Sequence, residues 1–304
     1  MRVAGLAPVI ALLGLTLGIA GCGSAPSTGA ASGKLEIVAA ENFWGSIAKQ
    51  IGGDHATVTS IITSPDTDPH SYEPTPGDAR LMALSNYVVE NGAGYDPWVA
   101  KLLSANPSSG RAVLNVGELN GVAEGGNPHM WYSPTYVIRV ADRIASDLGK
   151  RDPGDASYFD QHRRQFENAG LQRYNELRGS IRSRYQGVPV AATESIFVYL
   201  AEDLQLNLIT PPEFMKAISE GTDPTAQDKL TFDHQIASRQ IKVFVFNSQN
   251  STPDVDALKQ KAQAQGIPIV PITETLDPPS ATFQDWQAAQ LQALQSALAH
   301  ATGQ

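Results

Sequence analysis

Two histidines, each directly after a proline, are the first candidates for chemistry. His70 lies in the stretch "SPDTDPHSYEPTP" and His129 lies in "GNPHMWYSP". Proline fixes its own φ and restricts the residue before it, so each loop limits how far its imidazole can move. Either histidine alone could belong to a surface turn. Two loops of the same construction instead indicate a shared ligand site.

Two glutamates in the second half of the chain could complete such a site. Glu194 in "AATESIFVYL" and Glu274 in "VPITETL" each follow a predicted strand. Ligands of parallel α/β sheets collect beyond the carboxyl ends of the strands, and two imidazoles with two carboxylates suit a first-row divalent metal. Glu194 could instead serve the dipole of a helix start. Glu274 could be a solvated loop acid, with Asp277 as a competing ligand.

The other histidines are interpreted as exposed side chains outside the site. They lie in predicted turns or on polar faces of predicted helices, and they are His55, His162, His234 and His300.

Strands alternate with helices in both halves of the chain. Apolar runs such as "LEIVAA", "ATVTSIIT" and "KVFVFN" predict strands, and "FWGSIAKQIGG" and "DVDALKQKAQAQG" predict helices. This alternation implies parallel pairing and an α/β fold. Residues 153–185 keep apolar side chains on one face of a single helix, which would span about 45 Å. We therefore predict an N-terminal α/β lobe at 34–150, a linking helix at 151–187 and a C-terminal α/β lobe at 188–304.

The first residues of the chain have the features of a secretory signal. Residues 1–21 contain Arg2 and an apolar run that Pro8 and several glycines interrupt, so the run is too short to span a membrane. The following "IAGC" resembles the bacterial lipobox, in which the cysteine, here Cys22, carries a lipid. Cys22 is the only cysteine, so it cannot form an internal disulfide. There are two alternatives to lipidation: the cysteine could merely end the signal, or the protein could be cytoplasmic with an apolar start. Residues 22–33 are predicted to be the lipidated cysteine and a flexible tether.

Charge and composition exclude one class of partner. The net charge is -9, and no block of lysine or arginine could follow a phosphate backbone. We therefore expect no nucleic-acid partner. A hydrophobic fraction of 42% is typical of folded cores.

The quoted motifs together resemble the metal-binding solute-binding lipoproteins of bacterial ABC importers, in the cluster that takes up manganese or zinc. "DPHSYEPTP", "NPHMWYSP", "TESIFVYL" and "VPITETL" carry the resemblance, which covers nearly all of the mature chain. It implies two Rossmann-like parallel-sheet lobes, joined by one long helix, with the metal in the cleft between them. By position, His70 and His129 correspond to the first-lobe ligands and Glu194 to the third. Glu274 stands where the family often has aspartate.

The resemblance also implies a function. The protein would be a monomer, anchored by its lipid on the extracytoplasmic side of the cell membrane, that delivers Mn²⁺ or Zn²⁺ to an ABC permease and its ATPase. Manganese is favoured because Glu194 stands where zinc-type relatives tend to carry a third histidine, and because no histidine-rich segment separates His70 from His129. Iron stays open.

Two other functions compete with metal import. Two histidines and a glutamate could hold the zinc of a hydrolase. However, the chain contains no HExxH, GxSxG or phosphate-binding glycine motif, and four protein ligands would leave little room for an activated water. We therefore expect a binding protein and no enzyme. A surface adhesin that retains the same fold is the third possibility.

Overall fold

Two parallel sheets of four strands each organise the protein. The structure is a computed structural model, and it describes residues 33–250 and 252–304 together with Gly5. The predicted signal peptide and Cys22 thus lie outside the described residues. None of the helices in the described part of the chain combines the length and the apolar character that a bilayer crossing requires.

The first lobe contains the sheet with strand order β2-β1-β3-β4. Its elements, in chain order, are β1 (Leu35–Glu41), α1 (Asn42–Gly52), β2 (Ala56–Ile62), α2 (Pro76–Leu84), β3 (Tyr87–Glu90), α3 (Pro97–Ala105), β4 (Ala112–Asn115), α4 (Val116–Asn120) and α5 (Pro134–Arg151). Helix α2 begins at a capping box, in which Thr75 and Asp78 satisfy each other's backbone N–H groups, and Pro76 fixes its first turn. The loop that carries His70 is therefore bounded by β2 and by this capped helix start.

The second lobe repeats this strand order, as β6-β5-β7-β8. Its elements are β5 (Pro189–Ala192), α8 (Val198–Asp203), β6 (Asn207–Leu208), α9 (Pro212–Ser219), α10 (Ala226–Ala237), β7 (Val243–Asn247), α11 (Pro253–Ala264), β8 (Ile269–Ile272) and α12 (Phe283–Thr302). The predicted fold class, α/β with two parallel-sheet lobes, is confirmed.

A long helical segment connects the two lobes. It consists of α6 (Ala156–Gln165), a π-helical turn at Phe166–Gly170 and α7 (Gln172–Tyr185), where the sequence predicted one regular helix. The π turn adds a residue to the helical repeat while it keeps Phe166 buried in the core. The lobe and linker limits at 34–150, 151–187 and 188–304 stay predictions.

The lobes also pack directly against each other. A single hydrophobic cluster extends from Ile37 in the first sheet, through Phe166 in the linking segment, to Val190 in the second sheet. The Tyr132 hydroxyl of the first lobe lies 2.8 Å from two acceptors of the second, the Thr273 carbonyl and Gln290 Oε1, and its single proton can bond to either of them. Side chains beyond the strand ends of the two sheets are therefore held at short distances from each other.

Candidate metal centre

His129 lies at the end of a loop that follows α4. The short helix α4 and this loop separate the histidine from the end of β4. The imidazole is 1% exposed, and its Nε2 has no hydrogen-bond partner among the described groups. Burial, together with the smaller effect of the His70 charge, lowers the pKa of His129 to about 3. The ring is therefore neutral near pH 7, which is the form that binds a metal.

Glu194 lies two residues beyond the end of β5. It is 1% exposed; its Oε2 accepts a 3.2 Å hydrogen bond from Asn247 Nδ2, and its Oε1 is buried without a partner among the described groups. Burial raises the pKa of Glu194 well above its ordinary value, and the negative charge of Glu274 adds to the shift. A cation between the two carboxylates would relieve both effects.

Glu274 follows β8 and is 8% exposed. Its Oε1 accepts a 2.7 Å hydrogen bond from Asn247 Nδ2, and its Oε2 accepts one of the same length from the Tyr95 hydroxyl. Burial raises the pKa of Glu274, whereas Tyr95, His70 and Asn247 oppose the rise. The competing acid Asp277 is exposed and lies outside the cluster described next.

The structure brings three of the four predicted ligands together. His129, Glu194 and Glu274 each place one ligand atom within 4.8 Å of the other two. One nitrogen and two carboxylates at this spacing can surround a divalent ion. These side chains come from both lobes, so an ion bound among them would join the lobes.

His70 lies on the rim of this cluster. Its side chain is exposed, and its ring meets that of Tyr95 edge-on, with 4.8 Å between the ring centroids. Trp98 Nε1 donates a 3.1 Å hydrogen bond to the carbonyl of Pro69, so the loop is anchored one residue before the histidine. The imidazole therefore lines the cleft from a loop that is held at Pro69.

The cleft above the cluster has a volume of about 740 Å³. Besides His70 and Glu274, charged side chains from both lobes line it: Asp66, Asp68, Glu124, Lys216 and Glu220. The lysine pairs with Glu220, so the remaining charge is negative and attracts cations.

Three residues of the centre did not emerge from the sequence. Tyr95 and Asn247 donate to the carboxylates, and Asn127 accepts from His129. Their chain positions give no signal, because the Tyr95 hydrogen bond to Glu274 spans 179 residues. Of the histidines assigned to the surface, His234 and His300 are exposed, and His55 and His162 are half-buried.

A protein-family model, named relatives and solved structures match this chain. The model of the family described as "Zinc-uptake complex component A periplasmic" matches residues 37–297. "Metal ABC transporter substrate-binding lipoprotein FimA" of Streptococcus parasanguinis is 26% identical, with 87% of each chain covered. "Manganese ABC transporter substrate-binding lipoprotein PsaA" of Streptococcus mitis is 25% identical, with 82% of each covered. The Mn-bound periplasmic metal binding protein of candidatus liberibacter asiaticus has a similar fold, with a TM-score of 0.71 at 22% identity; the match covers 87% of this chain and all of the other.

These relatives are substrate-binding proteins and not enzymes, which confirms the expectation of a binding protein. The resemblance found in the sequence motifs is confirmed as well, by the family match over residues 37–297 and by the named relatives. The chain belongs to the family of zinc-uptake component A proteins, the metal-binding substrate-binding proteins of ABC importers.

Proposed function

We propose that the protein captures one divalent transition-metal ion outside the cytoplasm and delivers it, as a monomer, to the permease and ATPase of an ABC importer. The observation that carries this proposal is the convergence of His129, Glu194 and Glu274 from two lobes. All three side chains are at least nine-tenths buried, and the histidine Nε2 and one Glu194 oxygen have no partner among the described groups. Buried polar atoms without partners are costly, so a ligand that uses them is stabilising.

The fourth ligand is His70. Its loop lies at the cleft mouth, and its ring already contacts Tyr95, whose hydroxyl is bonded to Glu274. Rotation of the imidazole toward the buried cluster would complete a set of two nitrogens and two carboxylates. Such a set closes around the ion and leaves no open position for a reacting water, which argues against the hydrolase.

Metal content and thermal stability test the site. We expect one ion per chain, and a stabilisation of about 4 kcal/mol when free metal exceeds the dissociation constant a thousandfold. Alanine at His129 or Glu194 should remove most of this stabilisation. Alanine at the exposed His300 is the matched control and should retain it. A full shift in both site variants would place the metal elsewhere.

A comparison of two variants identifies the second carboxylate ligand. Glu274→Ala should weaken binding far more than Asp277→Ala, because only Glu274 lies in the buried cluster. The reverse order of the two variants would assign the role to Asp277.

Manganese is the proposed cargo, ahead of zinc. Two nitrogens and two carboxylates form a harder ligand set than three histidines, and PsaA of Streptococcus mitis is named for manganese. Affinity in vitro does not identify the cargo, because zinc outcompetes manganese at most nitrogen and oxygen sites. The test is to delete the gene and ask which metal restores growth and cellular metal content under chelation. Rescue by zinc alone, or by iron alone, would contradict manganese and leave the importer function intact.

The lipid anchor at Cys22 completes the proposal. Cys22 lies outside the described residues, but FimA and PsaA are both named lipoproteins. An anchor at this position would hold the metal-binding lobes on the extracytoplasmic face of the membrane, next to the permease.

A further inference from the structure

Asn127 contacts groups on both sides of the cleft. Its Oδ1 accepts hydrogen bonds from the backbone N–H of His129, at 3.1 Å, and from the Nδ1 of the same residue, at 2.7 Å. Its Nδ2 donates a 2.8 Å hydrogen bond to the carbonyl of Ser195, the residue that follows Glu194. One amide is thus bonded to a candidate ligand of the first lobe and to the neighbour of a candidate ligand of the second.

The partners of the amide fix its orientation. The Ser195 carbonyl can only accept, so it must face the NH₂ group of Asn127. The backbone N–H of His129 can only donate, so it must face the amide oxygen. This oxygen then requires a proton on His129 Nδ1, because two acceptors do not bond each other. The proton on Nδ1 leaves the lone pair on Nε2, the buried nitrogen without a partner.

The second lobe also holds the backbone of Asn127. The hydroxyl of Tyr199, in α8, donates a 3.0 Å hydrogen bond to the Asn127 carbonyl. Ser195 Oγ approaches His129 Nδ1 more loosely, at 3.4 Å, and forms a shorter contact of 2.9 Å with Ser219 Oγ. Asn127 is therefore the nearer acceptor for the imidazole, and it is fixed to the second lobe at two points.

We propose that Asn127 is a positioning residue, which selects the metal-binding tautomer of His129 and sets the distance between His129 and Glu194 across the cleft. This inference rests on the proposed function, in which both residues are ligands. The supporting chemistry is general: a ligating histidine is oriented by the group that accepts its other ring N–H, and loss of that group typically costs about 10- to 100-fold in metal affinity.

Two substitutions separate the two roles. Asn127→Asp keeps an acceptor for Nδ1 but loses the donor to Ser195, whereas Asn127→Leu loses both. Asn120→Asp and Asn120→Leu are matched controls in the same lobe, since the Asn120 amide donates to no group of the described residues other than the Val116 carbonyl within α4. The readouts are ¹⁵N chemical shifts of the ring nitrogens in the metal-free, histidine-labelled protein, and the Kd for Mn²⁺ from chelator competition.

We expect the His129 proton on Nδ1 in the wild type and in Asn127→Asp, and a shift of that proton toward Nε2 in Asn127→Leu. Asn127→Leu should bind Mn²⁺ about 10- to 100-fold more weakly. Asn127→Asp should bind with an intermediate Kd, and both Asn120 variants should match the wild type. An unchanged tautomer in Asn127→Leu would overturn the selection of the tautomer. Binding by Asn127→Asp as tight as the wild type would overturn the role across the cleft.

A His129→Ala variant distinguishes this inference from the proposed function. If His129→Ala retains wild-type affinity, the ligand assignment itself fails. If His129→Ala loses binding while Asn127→Leu retains both the tautomer and the affinity, only the positioning role fails. Should Asn127→Leu not fold, Asn127→Asp and Tyr199→Phe still test the attachment to the second lobe, because both should weaken Mn²⁺ binding.

Discussion

The hydroxyl of Tyr95 donates a 2.7 Å hydrogen bond to Oε2 of Glu274, across the cleft between the two lobes. Both groups are buried. The centroid of the tyrosine ring lies 4.8 Å from the centroid of the His70 ring and 6.2 Å from that of the His129 ring. The phenol thus links Glu274, a candidate ligand of the second lobe, to the two candidate histidines of the first. The hydrogen bond fixes the position of the Glu274 carboxylate relative to the first lobe.

Removal of the Tyr95 hydroxyl should destabilise the metal-free protein. We expect Tyr95→Phe to lower the free energy of unfolding by about 1 to 3 kcal/mol, because a buried carboxylate oxygen loses its donor. Tyr174→Phe is the matched control: that hydroxyl is buried without a partner among the described groups, so its removal should cost much less. Denaturant unfolding of the two variants measures the difference, and equal losses would contradict the role of the hydrogen bond.

The Asn247 amide should matter more without metal than with it. Its Nδ2 donates to Glu194 Oε2 and to Glu274 Oε1, so it offsets two neighbouring acids. We expect Asn247→Leu to lower the unfolding free energy of the metal-free protein by about 1 to 3 kcal/mol. A bound divalent ion would compensate the same oxygens, so the increase in Tm on metal addition should exceed that of the wild type. An increase equal to or smaller than the wild-type value would show that the amide does not act through the carboxylates.

A buried acid outside the cluster of His129, Glu194 and Glu274 should make the stability of the fold depend on pH. Glu41 ends β1 and is fully buried; burial raises its pKa well above the ordinary value, and the negative charges of Asp96 and Glu90 add to the shift. The folded state then holds a proton that the unfolded state releases above its own lower pKa. Stability from this group is complete at low pH and declines as pH rises above about 4.5.

Glu41→Gln should remove this dependence. We expect the variant to gain stability over the wild type as pH rises from about 4.5, by up to about 1.4 kcal/mol per pH unit until the folded-state pKa is reached. Glu36→Gln removes an exposed carboxyl from the same strand and is the control, whose profile should run parallel to the wild type. Urea unfolding across the pH series gives the curves. A constant offset between Glu41→Gln and the wild type would contradict the prediction.

The proposed lipid anchor at Cys22 leads to a prediction about the cellular fraction in which a Cys22 variant is found. Cys22→Ala should move the protein from the membrane fraction to the soluble extracytoplasmic fraction, because the thioether that carries the lipid cannot form. Fractionation without detergent, followed by immunoblotting, measures this. If the variant remains in washed membranes, the anchor is not at Cys22.

The sequence predicts the helices and strands most accurately where a clear apolar run or a glycine marks their limits. The predicted strand "LEIVAA" corresponds to β1, and the predicted helix "FWGSIAKQIGG" to α1. Helix α9 is not among the predicted helices; its sequence "PPEFMKAIS" is short, and Pro212 occupies its first turn. The π turn at Phe166–Gly170 was missed because apolar spacing is nearly the same on either side of it.

The candidate site was predicted less completely than the fold. Histidines that follow prolines, and acids that follow predicted strands, can be recognised from the sequence alone. The structure brings three of them, His129, Glu194 and Glu274, together. The sequence does not show that Tyr95 and Asn247 donate hydrogen bonds to these acids, because donor and acceptor are far apart in the chain and become neighbours only in the folded protein. The exposed position of His70 depends on the conformation of its loop, which periodicity does not encode.

The shared strand order of the two sheets also bears on ancestry. Strands β1 and β5 hold equivalent places in their sheets, and an acid follows a "VAA" segment in both: Glu41 directly, and Glu194 after the intervening Thr193. A duplicated half-chain would produce the shared strand order. Glu194 lies near Glu274 in the candidate metal site, whereas Glu41 lies near Asp96 and Glu90. Descent from a symmetric pair of lobes would thus give each lobe an acid near the end of its central strand, of which only the one in the second lobe lies beside the candidate metal site.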